Sequence, residues 1–323
     1  MDVNELVSRL REWRGTVRKG PISEVAAMLL PPCDGAIMAA FGEDAAAIRL
    51  GDDVLLLAAD GILEDLVAAD PYWAGYCSVL VNANDIAAMG GRPLAAVNVL
   101  SCGGEAIRAD MVKGMRDACS KFGVPMVGGH LHPDTSYSAI DVAMLGVTTE
   151  ANLVLSDGAR PGDLVVIAMD LDGDFTECIP YSWDTTSRKT AGEVATRLGA
   201  VHDLAPLLSA AKDISNPGTM GTLGMLLQAS GAGGEVDVGL IPCPDDVDIV
   251  QWLTAYQGCG FVATCSPDSS EEVTDGFSQR GLTSSVAGRV TASARVKVSF
   301  GGEMTELFDL SVDSLGCLRA QSL

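Results

Sequence analysis

The sequence is poor in positive charge and has no long hydrophobic run. Its 323 residues include 21 Lys and Arg against 43 Asp and Glu, which gives a formal net charge of -22 at pH 7. Such a surface repels DNA, RNA and anionic lipid, and the one basic cluster is short, at residues 11–19. No apolar run reaches the roughly 18 residues of a membrane-spanning helix. We therefore expect neither a nucleic-acid partner nor a membrane span.

The cysteines lack the spacing of a zinc site. There are 9 of them, and no two form a CxxC pair. An odd number of cysteines without a secretory leader favours free thiols in a reducing compartment. We expect a cytoplasmic protein in which most cysteines are small core residues.

The familiar nucleotide-binding motifs are absent as well. The sequence contains no GxxxxGK[ST], no GxGxxG after a predicted strand and no kinase HRD or DFG set. Hydrophobic residues make up 48% of the chain, which is enough for the core of one large or two medium domains. A nucleotide enzyme with this sequence would have to hold the phosphates through a carboxylate-bound cation, glycine-rich turns and a few basic side chains.

Hydrophobic periodicity and turn residues divide the chain into three parts. The predicted parts are an N-terminal helix and loop (1–34), an α+β domain (35–155) and an α/β domain (160–323), separated near the turn-rich stretch 156–163. The elements predicted in the first two parts are helices over 2–14, 71–90 and 106–121 and strands over 45–50, 54–59, 94–100, 124–128 and 138–147. Those predicted in the third part are strands over 164–168, 235–240 and 260–265, helices over 188–211, 218–230, 245–255 and 269–280, and three short strands at the end.

Three carboxylates stand out because their neighbours are apolar. Asp44, Asp60 and Asp85 are embedded among Ala, Val, Ile and Met. A buried charge persists only when it is paired or bound to a metal. Carboxylates at strand and helix ends suit Mg²⁺, which keeps several waters and bridges to substrate phosphates. The pattern therefore favours a divalent-cation site.

The helix over 71–90 admits a second interpretation. Asn82, Asp85 and Met89 are spaced at i, i+3 and i+7 and therefore share one helix face. A hydrogen-bond network between packed helices, with no ligand, would also explain an Asn and an Asp on that face. In the same way, Asp44 and Asp60 taken singly are typical of turns.

Taken together, the motifs resemble the PurM-like superfamily. They are GEDAA (42–46), AADG (58–61), VNANDIAAMGG (81–91), VPMVGGH (124–130), KDISNPG (212–218) and SGAGG (230–234). The superfamily includes AIR synthetase, thiamine-monophosphate kinase, selenophosphate synthetase and the carbamoyl-dehydrating hydrogenase maturation protein. Further stretches, at 69–77, 129–135, 183–186 and 215–219, resemble the AIR synthase-related group called methanogenesis marker protein 2.

The resemblance implies a site and a mode of assembly. Mg²⁺ would be held against the phosphates of ATP by Asp44, Asp60, Asp85 and Asp213. Two subunits would join their N-terminal sheets into a β-barrel, which makes a homodimer the expected assembly. The catalytic residues predicted on this basis are Asp44, Asp85, His130 and Asp213, and the nucleotide-binding residues are Arg18, Lys19, Gly42, Gly61, Asn82, Gly128, Gly129 and Asn216.

Four departures from known relatives limit what can be carried over. Asn216 stands where the kinase loop has a second aspartate. His130 stands where the Gly-Gly-Asp of the kinase has its aspartate, and it resembles instead the Gly-Gly-His of selenophosphate synthetase. The first cysteine is Cys33, so the reactive N-terminal cysteine of selenophosphate synthetase is missing. Cys317 lacks the tail motif around the carbamoyl-accepting cysteine of the maturation protein. These departures argue against thiamine-monophosphate kinase activity and against a catalytic Cys317.

His130 and His132 are two of only 3 histidines, and we expect them in one turn together with Asp134 and Thr135. No third soft ligand for a transition metal is near in sequence. One imidazole is expected to bond phosphate or a carboxylate, while the other is structural. Asp134 and Thr135 could complete a substrate loop or simply form an Asx-type turn after Pro133.

The function predicted from these observations is Mg²⁺- and ATP-dependent phosphorylation of an oxygen of a second substrate. That substrate is a small molecule or is carried by a partner protein, in cofactor biosynthesis or maturation linked to methanogenesis. Thiamine-monophosphate kinase is one alternative. Another is an ATP-binding assembly or regulatory protein that does not turn over a small molecule. A relic without nucleotide is disfavoured because buried carboxylates without a function are costly.

Overall fold

The computed structural model describes residues 1–29 and 35–317. Its first half contains a sheet that is covered on one face by two long helices. The elements of this half are α1 (Val3–Arg11), α2 (Arg14–Val17), α3 (Ile22–Leu29), β1 (Ile37–Ala39), β2 (Ala46–Leu50), β3 (Asp53–Gly61), α4 (Glu64–Ala69), α5 (Pro71–Ala88), β4 (Arg92–Ser101), α6 (Glu105–Phe122), β5 (Met126–His132) and β6 (Ala139–Thr149).

The first sheet is buried on one face only. Within the described ranges its strand order is β1-β2-β3-β6-β4-β5. Side chains alternate along β3, so that Leu56 and Ala58 face α5 and are buried while Leu57 is exposed. On β4, Val97 and Val99 are likewise exposed, at 42% and 44%. The face of the sheet opposite the helices is therefore apolar and open.

The second half contains a larger sheet with helices on both faces. Its strand order in the described ranges is β10-β12-β7-β13-β11-β14-β15. The elements of this half are β7 (Leu164–Met169), β8 (Asp174–Thr176), β9 (Ile179–Asp184), α7 (Ala191–Leu198), α8 (Ala200–Leu204), β10 (Leu208–Asp213), α9 (Gly218–Ala229), β11 (Gly233–Asp237), α10 (Ile249–Leu253), β12 (Gly260–Cys265), α11 (Ser270–Gln279), β13 (Thr283–Thr291), β14 (Arg295–Phe300) and β15 (Glu303–Asp309).

Helix α5 connects the two halves. Asp70 caps its N-terminus by accepting a hydrogen bond from the backbone N–H of Trp73 at 2.9 Å, and Pro71 occupies the first turn. Gly90, with φ of +70°, follows the end of the helix. The helix is buried on nearly all sides because β3, β4 and β6 lie beneath it, α6 lies beside it and β10 packs against it.

Most predicted elements are present, but the helix predicted over 188–211 is wrong in its second half. The chain forms α7 and α8, passes through a short 3-10 turn at Ala205–Leu207 and then becomes strand β10. Pro206 cannot continue a helix, and the following residues Leu208–Asp213 pair with β12. The apolar run was compatible with either structure, and the free edge of β12 decided it.

Two other helices are shorter than expected. The helix predicted over 2–14 ends at Arg11, and α2 begins separately at Arg14. The helix predicted over 245–255 spans only Ile249–Leu253, since a turn with φ of +63° at Asp246 precedes it. The stretch 156–163 lies between β6 and β7, but the predicted domain boundaries stay a prediction. Residues 30–34 and 318–323 lie outside the described ranges.

Helix α1 packs on the far half of the chain. Val3, Leu6 and Leu10 are buried in the core of the second sheet, where α1 contacts β15 and α10. This arrangement carries the chain that follows α1 towards the boundary between the two halves. Among the described residues, no helix combines the length and the apolar composition needed to cross a bilayer.

Candidate active site

A cleft of about 430 Å³ lies between the two halves. Its walls come from the loop between β1 and β2, the end of β3, helix α5, the end of β10 and the segment of α2 and α3. It brings together nine of the residues predicted from the sequence: Arg18, Lys19, Gly42, Asp44, Asp60, Gly61, Asp85, Asp213 and Asn216.

Three carboxylates form the centre of this cleft. One oxygen each from Asp44, Asp85 and Asp213 lies within 4.8 Å of the other two. Oxygens bound to a single Mg²⁺ are at most about 4.2 Å apart, twice the metal–oxygen distance. A small side-chain rotation would therefore bring the three oxygens onto one ion.

Several oxygens in the cleft have no partner of their own. Asp44 Oδ2, Asp213 Oδ1 and Asn216 Oδ1 are buried and accept no hydrogen bond from the described residues. An unpartnered buried acceptor costs about 1–3 kcal/mol, and more when it carries charge. Carboxylate and amide oxygens are ligands of hard divalent cations. The donor set thus fits Mg²⁺.

The carboxylates raise one another's pKa. Burial, followed by repulsion from neighbouring carboxylates, holds the pKa values of Asp85 and Asp213 well above their usual range. Burial also raises the pKa of Asp60, although Lys19 opposes this shift. Burial raises the pKa of Glu43 to about 7. Without a cation, the cluster therefore retains protons at neutral pH.

Two basic residues of the N-terminal segment line the same cleft. Arg18 and Lys19 follow α2 and line the cleft, and Lys19 interacts electrostatically with Asp60 and Asp213. Burial, together with the charge of Lys212, lowers the pKa of Lys19, while Asp60 and Asp213 oppose this shift. Cations at this edge are suited to pairing with phosphate oxygens.

The segment that carries these cations is anchored on both halves of the chain. Trp13 Nε1 donates a hydrogen bond to the backbone oxygen of Asn216 at 2.8 Å. Arg14 donates to the hydroxyl of Tyr181 at 2.7 Å and forms an ion pair with Asp65 on α4. These contacts fix the position of Arg18 and Lys19 relative to the carboxylates.

The close approach of Gly15 to the Asn216 loop supports a prediction. A Cβ atom at Gly15 would lie 1.8 Å from the backbone oxygen of Asn216, so the anchored segment would have to move. We expect Gly15→Ala to lower the free energy of unfolding by about 1–3 kcal/mol, as overpacking does. Urea denaturation measures this change.

Gly20→Ala is the matched control, because a Cβ atom there would meet only the oxygen of Val17 at an ordinary 3.6 Å. We expect this variant to match the wild type within about 0.5 kcal/mol. Equal losses in the two variants would contradict the anchoring contact at Asn216.

Four predicted residues lie away from the cleft of their own chain. Asn82 is fully buried, and its amide donates to the backbone oxygen of Ser78 at 2.9 Å. Its place on the cleft wall is taken by Asn84. Gly128, Gly129 and His130 lie in strand β5, so the expectation that the glycine pair forms a phosphate-binding turn is wrong.

His130 and His132 also belong to β5 and not to a turn. Their rings meet edge to face with centroids 4.6 Å apart, and both residues are exposed. In the parallel pairing of β4 with β5, Val99 lies opposite His130 and Val97 opposite Gly128. His130 is therefore on the open face of the first sheet.

Sequence reasoning missed two charged residues of the site. Lys212 is 1% exposed, forms an ion pair with Asp44 and donates to the backbone oxygen of Gly42 at 3.2 Å. Glu43 accepts a hydrogen bond from the N–H of Ser156 at 2.8 Å. The available signal was a single lysine in the apolar stretch of β10, immediately before Asp213.

Cys317 lies beside the cleft, with its Sγ 3.6 Å from the backbone oxygen of Gly42, a residue of the cleft wall. Burial raises the pKa of its thiol to about 11. Because the thiolate is the nucleophilic form, a protonated buried thiol is unreactive at neutral pH. That Cys317 is not catalytic stays a prediction, and the raised pKa of its thiol favours it.

Two family models match the chain. The model of the N-terminal domain of AIR synthase related proteins matches residues 42–148, and that of the C-terminal domain matches residues 179–301. The carboxylates Asp44, Asp60 and Asp85 fall within the first match, and Asp213 falls within the second.

Two curated relatives are similar over most of the chain. An uncharacterized protein of Methanocaldococcus jannaschii is 40% identical over 98% of this chain and 100% of its own length. The thiamine-monophosphate kinase of Halobacterium salinarum is 29% identical over 80% of this chain and 91% of its own length.

The fold is also that of a solved structure, Thermotoga maritima PurL complexed with AMPPCP. The TM-score is 0.77 at 18% sequence identity, over 97% of this chain. The chain spans about half of that PurL chain, 50% of its length. This likeness establishes the two-domain fold of mixed α and β structure typical of PurM-like proteins.

Proposed function

Since this chain belongs to the AIR synthase related family within the PurM-like superfamily, we propose that it is an ATP- and Mg²⁺-dependent phosphotransferase. The family includes ATP-using kinases, such as the thiamine-monophosphate kinase relative. The observation that carries the proposal is the group of unpartnered buried oxygens beside Asp85, since Asp44 Oδ2 and Asp213 Oδ1 have no other partner among the described residues.

The residues divide the work of the site between two walls. Asp44, Asp85 and Asp213 would hold the divalent cation, and Asn216 Oδ1 would supply a neutral ligand or hold one of the ion's waters. Arg18 and Lys19 would bind phosphate oxygens from the opposite wall. The bound ion would neutralise charge on the phosphates. Asp60, at the mouth of the cleft, would orient its water ligands.

The acceptor would enter beside the carboxylates. Asn84, Ser215, Tyr256 and Gln257 line the part of the cleft next to Asn216. Gln257 is 3% exposed and has φ of +75°, a strained conformation of the kind that is often found at functional sites. Neutral amides and a phenol can orient a carbonyl or hydroxyl oxygen without competing with the cation for charge. That oxygen would attack the terminal phosphate in line.

We place the reaction in cofactor biosynthesis or maturation. This assignment rests on the sequence resemblance to the group called methanogenesis marker protein 2, in stretches such as 69–77 and 215–219. The acceptor oxygen would belong to a small molecule or to a group carried by a partner protein.

Isothermal titration with ATP, with and without Mg²⁺, tests the proposal. We expect saturable binding with Mg²⁺ and little heat without it. Asp213→Asn is expected to abolish the Mg²⁺-dependent heat because it removes a charged ligand from the centre of the cleft. Asp245→Asn changes an exposed acid that does not line the cleft and serves as the control.

Binding of ATP that is equally strong without Mg²⁺, or that survives in Asp213→Asn, would refute the carboxylate-held cation. Binding without phosphoryl transfer to any offered acceptor would favour the assembly or regulatory alternative. In that case ATP hydrolysis should accelerate only when the partner protein is added.

Thiamine-monophosphate kinase activity is the second candidate, favoured by the 29% identity to the Halobacterium salinarum enzyme. Asn216 weighs against it, because an amide in place of a charged ligand weakens a metal or phosphate site. We therefore expect thiamine monophosphate not to stimulate ADP formation. A coupled assay for ADP decides between the two candidates.

We also propose that the chain forms a homodimer through the open face of its first sheet. Leu57, Val97 and Val99 are exposed on that face at 46%, 42% and 44%, and His130 lies beside Val99. An apolar face of this kind is typical of an interface between subunits. The other subunit would then cover His130, which could place this residue near the partner's site.

Val99→Glu is expected to shift the protein from dimer to monomer in light scattering coupled to size exclusion. The physical reason is that the new charge would be buried unpaired at the interface. Ile107→Glu, on α6, is the control because Ile107 has a similar exposure of 40% but lies on the other side of the sheet. A Val99→Glu protein that remains dimeric would contradict this interface.

A further inference from the structure

Lys212 is a charged residue of the cleft to which the proposed reaction assigns no step. It is 1% exposed and lies at the end of β10, next to Asp213. A buried ammonium is costly unless its surroundings compensate for it. Here it forms an ion pair with Asp44 Oδ1 and donates to the backbone oxygen of Gly42 at 3.2 Å.

The other groups around Lys212 are also mostly acidic. Glu43 and Asp44 face it from the loop between β1 and β2, Asp85 acts on it from α5, and Cys317 approaches from the C-terminal segment. Although burial alone would lower the pKa of Lys212, Asp44 and these neighbours raise it. The ammonium is therefore a permanent positive charge inside the carboxylate cluster.

The two oxygens of Asp44 have different surroundings. Oδ1 is occupied by the ammonium of Lys212, which also binds the backbone oxygen of Gly42. Oδ2 has no partner among the described residues, and a carboxylate oxygen of Asp44 lies within 4.8 Å of oxygens of Asp85 and Asp213. Asp44 thus borders two oxygen-lined cation positions, one of which is already filled.

We infer that Lys212 is a built-in cation that fills the first of these positions, so that the nucleotide-free chain binds a single divalent ion at the second. This inference rests on the cation site of the proposed function. The chain holds the ammonium in place and the ammonium repels a second divalent ion, while it restricts Asp44 to one metal-binding oxygen. Removal of the ammonium would leave Asp44 Oδ1 and the Gly42 oxygen free to hold another ion.

Titration of the nucleotide-free protein with Mn²⁺, followed by the electron paramagnetic resonance signal of free Mn²⁺, measures the number of bound ions. Mn²⁺ accepts the same oxygen ligands as Mg²⁺. We expect about one tightly bound ion per chain for the wild type and about two for Lys212→Gln, in which an amide replaces the ammonium. Lys212→Arg keeps the charge and should remain at one.

Lys189→Gln is the matched control. Lys189 is also buried, at 7%, and its ammonium lies 3.3 Å from Asp170 and 3.0 Å from Asp172, but it does not line the cleft. Loss of this buried charge should leave the number of bound Mn²⁺ ions unchanged. A second ion gained by both variants would show a general effect of removing buried charge and would overturn the inference.

Three other outcomes would also overturn it. The first is binding of two ions by the wild type, which needs no variant to fold. The second is a single ion in folded Lys212→Gln. The third is no Mn²⁺ binding by the wild type, which would remove the cation site as well. In the first two cases the proposed function survives if Asp85→Asn binds one ion fewer than the wild type. Failure of the inference about Lys212 is then distinguishable from failure of the proposed function.

Discussion

Asp85→Asn is expected to abolish Mg²⁺-dependent ATP binding and at the same time to stabilise the metal-free protein. Asp85 is 8% exposed, and burial followed by repulsion from Asp60, Asp213 and Asp44 raises its pKa, so the metal-free protein must keep a proton on it that the unfolded chain has lost. The neutral amide removes the free-energy cost of this proton uptake. Mutation of a residue that hydrogen-bonds to a metal ligand typically costs about 10–100-fold in metal affinity. Loss of a ligand itself should therefore weaken Mg²⁺-dependent ATP binding by more than about a hundredfold. Titration calorimetry measures the binding, and thermal unfolding in EDTA measures the stability.

The combination of the two signs makes this test informative. A purely structural Asp85, held in a hydrogen-bond network, would lose stability on replacement and leave nucleotide binding nearly unchanged. Asp110→Asn, at an exposed position of α6, is the control and should alter neither property by more than about 0.5 kcal/mol. A less stable Asp85→Asn protein that binds ATP normally would support the network interpretation of α5.

The metal-free protein is expected to lose stability as the pH rises from acid to neutral. The pKa of Glu43 is raised from 4.5 to about 7 in the folded state. Between these values the unfolded chain has lost the proton that the folded chain retains, so the free energy of unfolding falls as the pH rises. At about 1.4 kcal/mol per pKa unit, Glu43 alone accounts for up to about 3 kcal/mol. Asp60, Asp85 and Asp213 contribute with the same sign.

Urea denaturation at roughly pH 5 and pH 8 in EDTA measures this dependence. Glu43→Gln should flatten this pH dependence, whereas Glu105→Gln, at an exposed position of α6, should not. Added Mg²⁺ should stabilise the protein more at the higher pH, since metal ligands must be deprotonated. A metal-free protein that is more stable at roughly pH 8 than at pH 5 would contradict the raised pKa values of these carboxylates.

Local patterns in the sequence were sufficient for most elements because their determinants are local. Asp70 and Pro71 at the start of α5, and the alternation of apolar residues along β3, act over a few neighbouring positions. The same patterns failed at 205–213, where Pro206 and pairing with β12 produced a strand in place of a helix. Strand pairing is a long-range property, and propensity yields to it.

The sequence by itself identified the family and the carboxylates Asp44, Asp60, Asp85 and Asp213. Motifs and charged residues among apolar neighbours can be read along the chain without knowledge of the fold. Only the tertiary structure decided which of the candidates meet. It excluded Asn82 from the cleft and placed His130 on the open face of the first sheet. It also added Lys212, whose ammonium reaches Asp44 from the other half of the chain. Lys212 and Asp44 are 168 positions apart in the sequence. Their contact depends on how the two halves of the chain pack together, which no local pattern encodes.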